Sequence, residues 1–240
     1  MDNSAPKDSA SHAGDLMLKA ARVLSAHGHD DFNQGQISVR DQQSDRNRIL
    51  IGRASTSFHS MRSSDIISVR VDAPAVPISC PAEFCMHAAL YKSRSDVNSI
   101  VHTHSLALVA FGATDLPLES YSHEGAIFSG KIPRFIETSQ TVTSTEQAER
   151  VAAALGDSDV VLLRNHGVVV VGSSIKAAVV RLIILERAVR INLAMRLLDT
   201  SMGKSSDEDD EAKRRFNFDE FAIESYWRSL VRDVSSNVVS

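Results

Sequence analysis

The chain is poor in the features that mark several broad classes of protein. Its 240 residues include only two cysteines, Cys80 and Cys85, too few for a disulfide framework. No apolar run approaches the roughly 18 residues of a membrane-spanning helix, and the polar first residues lack the apolar core of a secretory signal. The 26 basic residues are outnumbered by 30 acidic ones, whereas a nucleic-acid-binding domain usually has a basic surface. We therefore expect a cytoplasmic protein without membrane or nucleic-acid partners.

The composition that remains is that of a globular domain. Apolar residues make up 43% of the chain and charged residues 23%, close to the average of folded proteins. Changes in composition divide the chain into four parts. We expect a disordered tail over residues 1–14, one main domain over 15–200, a charged linker over 201–215, and over 216–240 a C-terminal helix that packs on the domain or on a neighbouring subunit.

The main domain mixes predicted helices with short β-branched strands. Helical spacing is found in 16–26, 82–94, 105–113 and 174–198, and strand patterns in 36–41, 48–52, 67–72, 97–105 and 159–172. The polar stretch between the first two strands indicates a hairpin. The helix over 174–198 has a broad apolar face, which needs a partner surface or another subunit. The fold class that follows is α/β, a sandwich with a largely antiparallel sheet.

Three histidines are placed where they can meet at one ion. His102 and His104 stand two apart in a predicted strand, so their side chains project from the same face. His166 lies in the polar turn Arg164–Gly167 between two hydrophobic strands, where a loop can present a third imidazole. Three neutral imidazoles with an open position are typical of a catalytic divalent-metal site. A pair of merely hydrogen-bonded imidazoles would leave the same pattern.

A carboxylate and a fourth histidine precede this strand. Glu83 and His87 are four apart on the predicted helix and therefore share one of its faces. Glu83 could bind the metal or act as a general acid and base, although an acidic residue in a first helical turn also stabilises the helix. For His87 a packed supporting position is favoured.

Two segments that contain these residues resemble the class II aldolase/adducin family. They are PAEFCMHAALYKSRSDVNSIVHTHS and LLRNHGVVVVG, and the resemblance extends over about residues 16–198. It implies a three-layer α/β/α domain, commonly a homotetramer with active sites between neighbouring subunits. It also implies one divalent ion per subunit (zinc, manganese, iron or cobalt), with His102, His104 and His166 as ligands and Glu83 as acid/base and fourth ligand.

The segments that hold phosphate in sugar-phosphate members of this family are altered here. The first reads Gly35–Ser38 with Gln36 in place of asparagine, the second reads Gly52–Ser55 with Arg53 in the turn, and the third, Pro81–Glu83, lacks both hydroxyls. These departures resemble instead the aromatic-acid decarboxylases of the family, because a guanidinium can grip a carboxylate through two hydrogen bonds.

This resemblance implies a lyase that decarboxylates a hydroxylated aromatic acid or diacid, a small-molecule substrate. Arg53, Ser38, Gln36 and Tyr226 are the candidate substrate-binding residues, and either Glu83 or His123 returns the proton. Two alternatives stay open. One is an aldolase that acts on a non-phosphorylated hydroxy-keto acid, and the other is a non-catalytic, adducin-like scaffold.

Overall fold

The computed structural model describes residues 7–41, 45–128, 132–198 and 203–236, and for 7–11 and 217 it describes the backbone alone. Within these ranges one sheet holds the strands β1 (Gln36–Arg40), β2 (Arg48–Gly52), β3 (Ile66–Arg70), β4 (Ser99–Thr103), β5 (Arg134–Phe135), β6 (Val160–Leu163) and β7 (Gly167–Gly172). The helices are α1 (Lys7–Ala26), α2 (Phe84–Ser93), α3 (Leu106–Gly112), α4 (Thr145–Leu155), α5 (Ile175–Leu197), α6 (Asp207–Asn217) and α7 (Glu220–Ser236).

The sheet is antiparallel except at one edge. Its order is β3-β2-β1-β4-β7-β6-β5, and only the edge pair β5–β6 is parallel. β1 and β2 form the expected hairpin, with Ser38 opposite Ile51. The central strand β4 pairs with β1 on one side and β7 on the other, so that Gln36 and Val169 both lie opposite His102. Residues of distant segments therefore meet at one end of the sheet.

Helices cover both faces of the sheet, which confirms the expected α/β class. Side chains of successive strand residues point to opposite faces, and β7 shows this directly. Val168 and Val170 belong to the core under α1, α3, α5 and α7, whereas Val169 and Val171 belong to the core under α2 and α4. In β4, Ile100 belongs to the core under α2 and Val101 to the core under α5, so His102 lies on the face covered by α2.

Helices occupy much of the described part of the predicted tail and of the predicted charged linker. α1 begins at Lys7, so the expected tail over 1–14 is wrong from residue 7 onward, and residues 1–6 lie outside the described part. Half-buried Ala13 packs against the core and extends the helix. The expected linker contains α6, because Ser206 accepts a hydrogen bond from the Asp209 amide and buried Asp210 accepts one from Ser120 at 2.6 Å.

The apolar face of α5 finds its partners within the chain. It was expected to need a partner surface or another subunit, and α1, α3, α7 and the sheet of the same chain provide that surface. The described helices include none that is long and apolar enough to cross a membrane.

Candidate metal centre

His102 lies near the end of strand β4 and His104 just after it, and their Nε2 atoms face each other. Their Nε2 atoms are 3.0 Å apart. Each Nδ1 has its own acceptor, the Val168 carbonyl at 2.9 Å for His102 and the Asp31 carboxylate at 2.6 Å for His104. An Nδ1 that donates to such an acceptor leaves the Nε2 of a neutral imidazole with a lone pair. Two lone pairs thus face each other, and only a proton or a cation between them relieves the repulsion.

His166 reaches the same point from the turn between β6 and β7. Asn165 adopts a left-handed conformation (φ 56°), and the His166 amide donates to the Leu163 carbonyl at 3.1 Å, so the turn is tight. Gly167 is required because a Cβ there would lie 2.4 Å from the Thr103 carbonyl oxygen. The turn therefore lies directly against the end of β4. Burial, with His102 nearby, lowers the pKa of His166 to about 4, so its imidazole is neutral and able to bind a metal at pH 7.

Glu83 completes the cluster from the residue before α2. It is only 3% exposed. One oxygen accepts the Val142 amide at 3.1 Å, and the other accepts the Gln36 side-chain amide at 2.9 Å. That second oxygen also lies 3.1 Å from Nε2 of His102. Burial favours the neutral carboxyl, but His102 and the hydrogen bonds outweigh it and lower the pKa of Glu83. In return Glu83 raises the pKa of His102 against the effect of burial.

These four side chains fit a divalent metal ion. One ligand atom from each of Glu83, His102, His104 and His166 can be chosen so that all lie within 4.8 Å of one another. Imidazole nitrogens with one carboxylate oxygen suit zinc, iron, manganese or cobalt. The anchored Nδ1 atoms also match the outer hydrogen bonds usual for metal-binding histidines. The four ligand side chains and the hydrogen bonds at their Nδ1 atoms therefore fit the expected divalent metal ion.

Two of the expected substrate-binding residues are engaged inside the protein. Ser38 is fully buried, and its hydroxyl contacts His87 at 2.7 Å and Tyr91 at 2.9 Å. Gln36 uses its amide nitrogen on Glu83 and its oxygen on His87. In this structure the polar groups of both side chains bond to other residues of the protein, and a role in substrate binding stays a prediction. The side chains of Gln36 and Ser38 project towards α2 and support Glu83 from behind.

The remaining candidates lie in three different surroundings. Arg53 is exposed, and its Nε donates to the Ser64 carbonyl at 3.2 Å. Ser38 lies opposite Ile51, so the hairpin register brings Arg53 to the end of the sheet that holds Gln36. His123 is exposed beside a cleft of about 370 Å³. Tyr226 packs on the core beneath α7. Neither His123 nor Tyr226 belongs to the four-residue cluster.

Sequence reasoning missed Asp31, which orients His104, and the Val142 amide, which binds Glu83. Asp31 lies in an irregular loop without periodicity, and a backbone donor has no side-chain signature. Both contacts depend on tertiary structure.

Comparison with known proteins identifies the family. The profile described as Class II Aldolase and Adducin N-terminal domain matches residues 15–193. The chain belongs to this family. An L-fuculose phosphate aldolase of Methanococcus maripaludis strain C7 is 33% identical over 175 residues, which are 73% of this chain and 93% of that enzyme. A 3,4-dihydroxyphthalate decarboxylase of Rhodococcus jostii is 28% identical over 195 residues, 75% of this chain and 79% of that one.

The solved structures agree on the fold of this class II aldolase family member. The crystal structure of an aldolase II superfamily protein from Pseudomonas syringae matches with a TM-score of 0.84 and 22% identity. The match covers 97% of this chain and 96% of that chain. The expected fold is thereby confirmed.

Proposed function

We propose that this protein is a divalent-metal-dependent lyase that decarboxylates a hydroxylated aromatic acid or diacid. The observation that carries the proposal is the cluster of three imidazoles and Glu83, in which the Nε2 atoms of His102 and His104 face each other at 3.0 Å. A divalent ion bound there would supply Lewis-acid stabilisation of the negative charge that develops on substrate oxygen when the carbon–carbon bond breaks. A non-catalytic scaffold would not need all three imidazoles and the carboxylate, so the complete cluster favours an enzyme.

The proton balance of this reaction gives Glu83 a role. Loss of carbon dioxide leaves an electron pair on the ring carbon, which must gain a proton. Glu83 is ionised when the substrate arrives because its pKa is lowered. It can take the proton of a ring hydroxyl and return it to the ring carbon, which leaves the carboxylate as it began. The ring oxygen, left as a phenolate, regains its proton from water when the product is released. His123 is the other candidate donor, and because it lies outside the cluster of its own chain it would act from a neighbouring subunit.

Arg53 is the proposed clamp for a second carboxylate. Its guanidinium is exposed at the sheet end that holds Gln36 and, through β1–β4 pairing, His102. A planar guanidinium pairs with a carboxylate through two parallel hydrogen bonds. The engaged amide of Gln36 supports the same choice, since it is not available to a substrate phosphate. An acid group therefore suits this site better than a sugar phosphate.

The second candidate is aldol cleavage. Sequence identity favours it, because the chain is 33% identical to the L-fuculose phosphate aldolase and 28% identical to the decarboxylase. Both reactions need the same stabilisation of an enolate-like charge, so the cluster serves either. Only the substrate that the protein accepts distinguishes decarboxylation from aldol cleavage.

The test is carbon dioxide release from a dihydroxyphthalate and a hydroxypyridine dicarboxylate, with added divalent metal. We expect carbon dioxide release that a chelator abolishes and that added metal restores. Arg53→Ala should raise KM about 10-fold or more while kcat changes less, because the variant loses a charge-assisted pair with the substrate. Arg62→Ala, another exposed arginine near this loop, is the control. Retro-aldol cleavage of a hydroxy-keto acid or of fuculose 1-phosphate, without carbon dioxide release, would contradict the decarboxylase assignment.

We also propose that the protein assembles as a tetramer with sites at subunit boundaries. Large apolar side chains are exposed next to the cluster along the chain. Phe32 is 88% exposed beside Asp31, and Leu106 is 88% exposed two residues after His104. Exposed apolar side chains at such positions favour burial against another surface.

A further inference from the structure

A chain of four buried side chains connects Glu83 to the far end of α2. Tyr91 lies 2.9 Å from the Ser38 hydroxyl, which lies 2.7 Å from Nδ1 of His87. Nε2 of His87 lies 3.1 Å from the side-chain oxygen of Gln36, whose nitrogen lies 2.9 Å from Glu83. Gln36 is the most exposed of these five residues at 8%, so water takes little part in the chain.

The carboxylate at one end fixes the direction of every bond. An ionised Glu83 only accepts, so Gln36 must present its NH₂ group there and its oxygen to His87. His87 then donates from Nε2, accepts at Nδ1 from Ser38, and Ser38 accepts from the Tyr91 hydroxyl. Burial lowers the pKa of His87 to about 3, so the ring is neutral and has one donor and one acceptor, as this order requires. If the Gln36 amide were turned the other way, its oxygen would face the Glu83 carboxylate, and two acceptors would repel each other.

The outer end of the chain is held in place. The guanidinium of Arg40 lies 4.6 Å from the centre of the Tyr91 ring and donates to the Tyr91 carbonyl at 2.8 Å. Its Nε donates to the Val97 carbonyl at 3.1 Å. Arg40 therefore fixes Tyr91 relative to β1. The Gln36 amide does not readily pass a proton on, so the chain orients groups and does not conduct protons.

We propose that the chain Tyr91–Ser38–His87–Gln36 holds the Glu83 carboxylate in the one orientation that aims an oxygen at His102, which makes Gln36 and His87 positioning residues for the metal centre. The inference rests on the proposed metal-binding function. Aligned hydrogen bonds strengthen one another in a buried environment, and outer partners of this kind change metal affinity by about 10–100-fold. Gln36 replaces the asparagine of the sugar-phosphate members, and in this chain its longer side chain joins Glu83 to His87.

The test uses cobalt(II) alone, with no substrate. Gln36→Met keeps the size of the side chain but removes both polar ends, and Ser38→Ala interrupts the chain at the third hydrogen bond from Glu83. Ser99→Ala is the matched control, because this equally buried hydroxyl donates only to the Ser38 carbonyl. We measure cobalt affinity and the visible cobalt spectrum of the folded fraction. The spectrum reports ligand geometry, which a general loss of stability does not alter.

We expect Gln36→Met to weaken cobalt binding about 10–100-fold and to change the spectrum, Ser38→Ala to act in the same direction, and Ser99→Ala to match the unaltered protein. Unchanged affinity and spectrum in Ser38→Ala would overturn the proposal even if Gln36→Met failed to fold. An equal loss in Ser99→Ala would overturn it too. If the unaltered protein binds no cobalt, the metal-dependent function fails with it. Normal cobalt results without carbon dioxide release would contradict the reaction alone.

Discussion

At the residue scale, the contact between the Nε2 atoms of His102 and His104 has a consequence for protons. Without a metal, Glu83 lies 3.1 Å from Nε2 of His102 and raises the pKa of that imidazole, which favours a proton between the two groups. His166 stays neutral, since its pKa is about 4. A cation must therefore displace a proton from His102 and none from His166.

Metal binding should release a proton near neutral pH. Glu83 raises the pKa of His102 above its ordinary value in the metal-free protein, so a metal ion competes with a proton there, and affinity should rise with pH until that raised pKa is passed. Calorimetric titration with zinc in buffers of different ionisation enthalpy counts the protons released. Binding at pH 6.5 without proton release would show that the His102–Glu83 pair carries no proton.

The sequence predicts the four residues of the candidate metal site better than it predicts the residues that hold them in place by hydrogen bonds. His102 and His104 are two apart in a strand, and His166 lies in a turn, so local pattern together with family resemblance is sufficient to nominate them. Gln36 and Ser38 were nominated for the substrate instead. Their hydrogen-bond partners, Glu83, His87 and Tyr91, lie 47 to 53 residues away along the chain. Only the packing of α2 against β1 in the folded structure brings these side chains together.

At the element scale, the site depends on how closely the β6–β7 turn lies against the end of β4. The Cβ position of Gly167 is 2.4 Å from the Thr103 carbonyl oxygen and 2.8 Å from Cδ2 of His104. No side chain fits there unless the turn moves, and both obstacles belong to the strand that presents the histidines. The glycine thus links the register of two strands to the position of His166.

Gly167→Ala should therefore weaken both the fold and the metal centre. We expect a loss of about 1–3 kcal/mol in the free energy of unfolding, typical of overpacking, together with weaker zinc binding because His166 moves away from the other ligands. Denaturant unfolding and zinc titration measure the two effects. Gly203→Ala is the control, since nothing lies within 4 Å of a Cβ at that position. Zinc affinity equal to that of the unaltered protein would contradict this role of the turn.

The predicted elements agree with the structure where hydrophobic periodicity is strong. The hairpin, the strands of the His102 and His166 segments and α5 were all expected. α6 was taken for a linker because charge density hid its end signals, namely the Ser206 cap, the acidic first turn and the basic last turn. β5 has two residues, too few for any periodic pattern, and parallel pairing with β6 alone defines it.

At the scale of the whole molecule, the mixed sheet explains why distant segments form one site. The end of β4, the start of β1, the end of β2 and the β6–β7 turn lie at the same end of the sheet, and α2 begins beside them. This arrangement is the family fold, and it brings together the four side chains that fit a metal ion. Assembly would add neighbouring chains at the same end, where Phe32 and Leu106 are exposed.

Native mass spectrometry of the zinc-loaded protein tests the central claim most directly, because one spectrum counts both chains and ions. We predict four chains with one ion each, and for His102→Ala the same assembly without bound ions. His59→Ala, which changes an exposed histidine outside the cluster, should keep its ions. An unaltered protein that carries no ion after loading, or a His102→Ala variant that keeps its ion, would contradict the metal centre and the function built on it.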